Sequence, residues 1–396
     1  MDWYLASFLI FIGIVAILIY AKREKITNRY YIFYRYDTKK GIKLIDKIAR
    51  WNPKFWRYFG SFGVFVGFCA MFFGIYYILN SYVIYFTRPQ AFIPSVSLVI
   101  PVPFENLTFV PGFLGVPFWY WLIPITILVF FHEGMHGIMA RVEKIRIKTL
   151  GLFLLTVIPG AFVEPDEKQL KKANWKAKMR IFAAGSNINI LIGLFFIFLL
   201  LWIYLPHYYD DSLGFSSYTI LENKTKLPAQ LNNLTGAIYS VNGERVRSIH
   251  DLAEIMNKTK PGDIIEIRTV KGNVIAPLFN VVVLGNERFK DYKIKTANIK
   301  GRAIIGIASF YDVKSLKNDV SNPDLINFLT GILIWMSIIN IGVGVINMLP
   351  IKPLDGGLMI EALSERFSPH HKDKIVKLVS TFFLLVLIGD FLMGFL

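Results

Sequence analysis

Residues 116–140 read VPFWYWLIPITILVFFHEGMHGIMA, an apolar run that ends in two histidines and a glutamate. A helix needs about 20 apolar residues to cross the hydrocarbon core of a bilayer, and this run is long enough. His132 and His136 are four residues apart, so on a helix they share one face and can bind one metal ion. Glu133 lies beside them, within reach of a water on that metal. Because ionisable groups at membrane depth are costly, we interpret these three residues as functional.

The donor atoms favour zinc, and they require a third protein ligand. Catalytic zinc sites have three protein ligands and an open position for water, and imidazole nitrogens suit this metal. None of the other histidines is well placed, but the fifth apolar segment ends NMLPIKPLDGG (347–357), where two prolines interrupt the helix and Asp355 follows. We therefore expect Asp355 to be the third ligand. The alternative is that Asp355 caps the next helix, and the two roles are compatible.

The composition is that of a membrane protein. The chain of 396 residues is 54% hydrophobic and 18% charged, whereas soluble domains carry about 25% charged residues. We predict a polytopic α-helical membrane protein with about six transmembrane helices, the first of them a retained anchor. The predicted spans are Trp3–Ala21, Gly60–Phe86, Val116–Ala140, Ile181–Leu205, Leu325–Leu349 and Val376–Leu396.

The distribution of charge predicts the orientation. The net charge is +16, but the basic residues gather in loops 22–57 and 141–180, whereas loop 87–115 contains only Arg88. Basic loops stay in the cytoplasm, so we expect both termini and residues 206–324 outside, and the metal site toward the cytoplasmic side of the cell membrane. Since the spans account for the basic residues, the expected partner is the lipid bilayer and not nucleic acid.

Residues 206–324 interrupt the apolar pattern and predict a small α/β module. Short β-branched runs at Ala237–Val241, Ile264–Val270 and Phe279–Leu284 alternate with Asn-Gly, Pro-Gly and Lys-Gly turns, and Ser248–Lys258 has helical spacing. The order of VNGERV, DL and PGD resembles a PDZ domain; another small β-rich domain is the alternative. The predicted organisation is two N-terminal spans in 1–115, a membrane half in 116–205, the extracytoplasmic module in 206–324 and a second membrane half in 325–396.

Four motifs together resemble the site-2 protease family of intramembrane metalloproteases, peptidase family M50. The pairing of HEGMH with NMLPIKPLDGG carries the resemblance, and VIPGAFVEPDE (157–167) and RIFAAGSNINI (180–190) are similar to further segments of that family. The resemblance covers about residues 116–363 and is closest to archaeal members with a PDZ-like insert. Ser186 departs from the pattern, because many bacterial members have proline there.

The resemblance implies a zinc endopeptidase that hydrolyses peptide bonds within or near transmembrane segments of other membrane proteins. The same resemblance implies that His132, His136 and Asp355 bind zinc and that Glu133 is the general base. Asn189 and Asn347 match its motif asparagines; they would contact the substrate or its transition state, or hold helices together. The resemblance sets neither the substrate nor the oligomeric state.

Two further expectations stay open at this level. Residues Arg146–Val163 are too short and too interrupted for a span, so they predict a re-entrant hairpin whose free edge captures a substrate strand, or else an amphipathic loop. The alternative functions are a catalytically inactive scaffold that binds partners through the module, and a metal transporter. A scaffold has no need of Glu133, and a transporter needs polar residues across the whole membrane depth.

Overall fold

The chain forms two compact units. The computed structural model describes residues 3–29, 33–89, 92, 94–104, 108–110, 112–155, 158–218, 225–278 and 281–395. The helical unit comprises Met1–Phe195 with Trp335–Leu396, and the inserted unit comprises Phe196–Ile334.

Helices dominate the described part of the chain, in which six stretches are long and apolar enough to cross a membrane. These stretches are Tyr4–Ala21, Pro53–Thr87, Phe118–Val142, Trp175–Tyr208, Pro323–Asn347 and Pro369–Met393, which confirms the predicted number. The helices are α1 Trp3–Ala21, α2 Ile42–Trp51, α3 Pro53–Thr87, α4 Phe118–Val142, α5 Glu167–Lys172, α6 Trp175–Phe198, α7 Leu205–Tyr208, α8 Pro228–Leu231, α9 Ile249–Lys258, α10 Pro323–Asn347, α11 Asp355–Phe367 and α12 Lys372–Met393. A π-helical turn, Leu199–Tyr204, joins α6 to α7, and short 3-10 turns cover Arg23–Lys25 and Pro369–His371.

Five of the six predicted spans begin at a different residue. The second was placed at Gly60, but α3 begins at Pro53, because the Asn52 side chain accepts a hydrogen bond from the Phe55 backbone N–H at 3.0 Å and proline suits the first helical position. The third was placed at Val116, but Val116 lies in a strand that ends at Pro117, and α4 starts at Phe118. The fourth was placed at Ile181, the fifth at Leu325 and the sixth at Val376, but α6 begins at Trp175, α10 at Pro323 and α12 at Lys372.

Small residues on α3 allow close packing in the helical unit. The buried residues of α3 recur at every third or fourth position, with Met71 in addition, and are Gly60, Gly63, Gly67, Ala70, Met71, Gly74, Ile78 and Ser81. A Cβ added at Gly63 would lie 2.9 Å from the Asn187 amide nitrogen on α6, and one at Gly67 would lie 3.0 Å from the Met348 sulfur. Glycines that let helices approach closely replace the hydrophobic driving force that is absent within lipid.

Asp390 is the one acidic residue in the apolar part of the last span, and it is fully buried. Its carboxylate accepts hydrogen bonds from the Ser81 hydroxyl on α3 and from the Ser95 backbone N–H and hydroxyl, at 2.9 and 2.7 Å for the latter two. Asp390 therefore ties α12 to α3 and to the segment after it, which gives it a structural part in the fold.

Four strands form a sheet inside the helical unit, in the order β1-β2-β6-β7. These are β1 Ile26–Arg29, β2 Phe33–Thr38, β6 Ile147–Leu155 and β7 Ile158–Pro165. The last two form an antiparallel hairpin at the position predicted for a re-entrant hairpin; residues 156 and 157 lie outside the described ranges. Pairing of β6 with β2 was not anticipated, and it leaves β7 at the edge of the sheet. A second sheet has the order β3-β5-β4, in which β3 is Leu98–Val102, β4 is Thr108–Val110 and β5 is Phe113–Pro117.

The inserted unit is built on a six-stranded sheet in the order β10-β9-β11-β12-β15-β8. Its strands are β8 Tyr209–Tyr218, β9 Ala237–Val241, β10 Glu244–Arg245, β11 Ile264–Leu278, β12 Val281–Lys295 and β15 Ile307–Leu316, and β13 Ala297–Ile299 pairs separately with β14 Arg302–Ile304. Ser248 caps α9 in a reciprocal pair with Asp251. The α/β character agrees with the prediction, whereas the particular likeness to a PDZ domain stays a prediction.

Strands β11 and β12 are longer than the sequence predicted. The predicted strand Ile264–Val270 continues to Leu278, because the expected turn at Lys271-Gly272 is instead a bulge within the β11–β12 pairing. The predicted strand Phe279–Leu284 also has different bounds, since β12 runs from Val281 to Lys295 and Phe279 lies outside the described residues.

Candidate metal centre

Helix α4 places its two histidines on one face. His132 is 8% exposed, its ring centroid lies 4.7 Å from that of His136, and the two Nε2 atoms are 3.1 Å apart. The spacing of four residues and the helical geometry are sufficient for this arrangement.

A break in the chain after α10 brings a carboxylate to the same place. Helix α10 ends at Asn347, and short-range backbone hydrogen bonds such as Leu354 N–H to Ile351 O (2.8 Å) turn the chain. A Cβ added at Gly356 would lie 2.0 Å from the Met348 carbonyl oxygen, so only glycine fits there. Helix α11 begins at Asp355 itself, and the cap position is Leu354 without a side-chain bond. The alternative that Asp355 caps this helix is therefore wrong.

The three side chains form a compact set of donor atoms. One atom each from His132, His136 and Asp355 lies within 4.8 Å of the others. His132 Nε2 is 3.5 Å from Asp355 Oδ2, and His136 Nε2 is 3.5 Å from Asp355 Oδ1. Zinc binds nitrogen and oxygen at about 2.0–2.1 Å in a tetrahedron, whose ligand atoms are then about 3.3 Å apart. The donor types and their separations fit a zinc ion.

Hydrogen bonds on the far side of each ring turn the Nε2 atoms toward the carboxylate. His136 Nδ1 lies 2.7 Å from the Ile181 carbonyl oxygen, which can only accept, so this nitrogen carries the proton. His132 Nδ1 lies 2.9 Å from the amide of Asn189, which is fully buried. Such contacts to the second nitrogen fix the tautomer that binds metal through Nε2.

The orientation of the Asn189 amide follows from this chemistry. If His132 binds a metal through Nε2, its Nδ1 carries a proton and needs an acceptor. The amide nitrogen is the atom placed opposite the ring, and the buried Asn189 oxygen has no hydrogen-bond partner among the described residues. Asparagine oxygen and nitrogen differ little in size, and turning the amide over puts Oδ1 opposite the ring proton. Asn189 therefore contacts a candidate ligand.

Two neighbours on α6 complete the surroundings and were missed by reasoning from the residues alone. The Ser186 hydroxyl, fully buried, donates to Asp355 Oδ2 at 3.1 Å. A Cβ added at Gly185 would lie 2.4 Å from His136 Nε2 and 2.7 Å from His132 Nε2, so any side chain there would fill the place of the metal. Their only signal in the sequence was the RIFAAGSNINI motif.

Glu133 and Asn347 have different surroundings. Glu133 is half-buried, and its Oε2 accepts a hydrogen bond from the Val163 backbone N–H of β7 at 3.0 Å. This bond joins the glutamate between the two histidines to the edge strand of the sheet. Asn347 is the half-buried last residue of α10 and makes no side-chain hydrogen bond within the described part of the chain.

Comparison with known proteins identifies the family of the chain. The sequence model of peptidase family M50 matches residues 120–387, which include both parts of the three-residue cluster. The chain is also similar to an uncharacterized protein of Methanocaldococcus jannaschii, at 27% identity over 350 residues that cover 87% of this chain and 81% of that protein. With its six apolar helices, this is a multi-pass membrane protein. Since the match extends over well more than half of the sequence, the chain belongs to peptidase family M50.

Proposed function

We propose that this protein is a zinc endopeptidase that hydrolyses peptide bonds within or near the transmembrane segments of other membrane proteins. The observation that carries the proposal is the convergence of His132, His136 and Asp355, with Glu133 between the two histidines. Membership of a peptidase family favours this function over an inactive scaffold.

Three side chains would hold the metal and a fourth would move the proton. His132, His136 and Asp355 are the proposed ligands, and a bound zinc ion supplies Lewis acidity that lowers the pKa of water to about 7. Glu133 accepts the proton of the attacking water as the oxygen adds to the scissile carbonyl carbon. It then returns that proton to the amide nitrogen as the C–N bond breaks.

Strand β7 is the proposed docking edge for the substrate. The Val163 N–H donates its hydrogen bond to Glu133 and not to β6, and Pro159 has no N–H to donate. Because backbone groups alternate between the two edges of a strand, those of the odd-numbered residues of β7 point away from β6. Ala161 therefore offers an N–H and a carbonyl at the free edge. An unwound substrate segment that added there as a strand would lie next to Glu133.

The proposed orientation follows the basic loops. Loops 22–57 and 141–180 would face the cytoplasm, and both termini and the inserted strands β8–β15 would lie outside. The site would then lie toward the cytoplasmic side, because about 14 apolar residues at 1.5 Å each precede His132 in α4. We expect added protease to cleave the β11–β12 hairpin on intact cells but not in inverted vesicles. Cleavage in inverted vesicles alone would exclude this orientation.

Substitution of the site tests the proposal. We expect Glu133→Gln to abolish cleavage of a single-span substrate in vesicles while one zinc ion per chain is retained. Asp355→Ala should lower zinc content as well, because it removes a ligand. Metal analysis and a cleavage assay on purified protein measure both, and normal cleavage by Glu133→Gln would exclude Glu133 as the base.

A further inference from the structure

Helix α2 has a buried face and a basic face. Ile45 and Ala49 are buried, and a Cβ added at Gly137 of α4 would lie 3.0 Å from Ile45 Cδ1, so the buried face packs on the helix that carries both histidines. Lys43 and Lys47 recur with Arg50 at helical spacing on the opposite face, and all three are exposed. This row is the basic stripe of α2.

A row of exposed apolar residues runs beside the basic stripe. Leu44 is 55% exposed and Trp51 is 73% exposed, and these two lie seven residues apart on one side of the helix. A charged row next to large exposed apolar side chains is typical of helices that lie in the plane of a membrane surface. If only water surrounded the helix, these apolar side chains would stay exposed to it, which is unfavourable.

The start of α3 sets the level of α2 in the membrane. Only Asn52 separates the two helices, and α3 opens with aromatic side chains, of which Phe55 is 45% and Tyr58 78% exposed. The Trp51 and Phe55 rings meet edge to face with centroids 5.9 Å apart. Tyrosine and tryptophan concentrate where a span leaves the hydrocarbon core, so α2 lies at that boundary.

Acidic side chains of the protein neutralise little of the positive charge of the basic stripe. The acidic residue of α2 is Asp46, whose carboxylate is bound by the Arg141 side chain of α4. Arg50 approaches the same carboxylate only to 4.0 Å, and its side chain is 78% exposed. Lys43 and Lys47 have no acidic partner among the described residues. The charge of the stripe is thus available to negatively charged groups in the surrounding phase.

We propose that α2 binds the headgroups of anionic phospholipids, with the basic stripe on the phosphates and with Leu44 and Trp51 in the upper acyl region. Three cations on an interfacial helix suit a negatively charged leaflet. Because the other face of α2 packs on α4, bound anionic lipid stabilises the half of α4 that follows the histidines. The inference concerns the membrane surface of the protein and holds whether or not the proposed peptidase function does.

Thermal unfolding in detergent tests this proposal with phosphatidylglycerol and phosphatidylcholine as probes. Phosphatidylglycerol should raise the Tm of the wild-type protein, and phosphatidylcholine should not. In Lys43→Gln/Lys47→Gln/Arg50→Gln the apparent lipid affinity should fall, by about fivefold for each charge removed. The matched control Lys168→Gln/Lys171→Gln/Lys172→Gln changes three exposed basic residues of α5 and should respond as wild type. The single Lys43→Gln and Lys47→Gln variants serve if the triple variant does not fold.

A second measurement locates the helix. Phospholipids brominated near the headgroup should quench wild-type tryptophan fluorescence more than that of Trp51→Phe. An unchanged lipid response in the triple variant, or equal quenching in the two proteins, would overturn the proposal. Equal stabilisation by soluble polyphosphate or a short DNA duplex would also overturn it, because the stripe would then recognise polyanions in general and not a lipid surface.

Discussion

At the scale of single residues, the geometry of the candidate site depends on what lies behind each ligand. His136 is held by the Ile181 carbonyl, His132 by Asn189 and Asp355 by Ser186. The sequence predicts the three ligands because their types and spacing are chemically specific. It does not predict their supports from residue type alone, because a carbonyl oxygen, a hydroxyl and an amide leave no distinctive pattern.

Ser186 is expected to position the Asp355 carboxylate. Ser186→Ala removes the 3.1 Å hydrogen bond to Asp355 Oδ2, and zinc affinity should fall about tenfold, as when such supporting contacts are lost elsewhere. Competition with a chelator measures this. Ser364→Ala, a buried serine on the same helix as Asp355, is the matched control and should keep wild-type affinity. Equal affinities in the two variants would contradict the positioning role.

Asn189 has three possible roles that one substitution separates. Asn189→Leu keeps the volume but removes the acceptor for His132, so we expect zinc affinity to fall about tenfold. A contact to the transition state would instead lower kcat with the zinc affinity unchanged. A purely interhelical role would lower only stability, by about 0.6–2 kcal/mol. Zinc titration, single-turnover cleavage and thermal unfolding of one preparation decide among them.

At the scale of elements, α4 and the break after α10 were predictable, whereas the sheet beside them was not. The length and hydropathy of the apolar segments predict the helices, and the two prolines predict the break after α10. Strand β2 pairs with β6 across more than 100 residues, and a pairing over such a separation leaves no pattern in the local sequence. The bulge at Gly272 shows a similar limit, because Lys-Gly is compatible with a turn or with a bulged strand.

The free edge of β7 provides a prediction at this scale. Ala161→Pro removes one outward N–H without breaking a bond to β6, and edge strands tolerate proline. Cleavage should slow by roughly three- to tenfold, the loss expected for one hydrogen bond. Ala161→Val keeps the N–H and is the control. Unchanged cleavage by the proline variant, with zinc retained in both, would contradict strand capture at Ala161.

At the scale of the whole molecule, a module is inserted between the two parts of the site. Its first and last long strands are neighbours in the sheet, since Tyr209 of β8 pairs with Leu316 of β15. The Tyr209 hydroxyl also hydrogen-bonds Asn327 and Thr330, at 2.7 and 2.8 Å. Residues 210–315 can therefore be replaced by two linker residues, because paired strands are only about 5 Å apart.

Removal of residues 210–315 tests what the module does. If it excludes substrates whose bulky outer domain is still attached, the deletion variant should cleave large-headed substrates that the wild-type protein rejects. We expect this result under the proposed orientation. A tethering role predicts slower cleavage of every substrate. Unchanged rates for large-headed and small-headed substrates would contradict both roles and leave the module a spacer.

The division of the site along the chain also bears on how the protein is made. More than half the length of the chain separates His136 from Asp355, and the ribosome synthesises the two histidines long before the aspartate. A nascent chain with α4 already in the bilayer has two of the three proposed ligands and lacks the carboxylate that completes them. If the proposed ligands are correct, a partly made molecule cannot complete its metal site, and we expect catalysis to begin only after α11 has been synthesised.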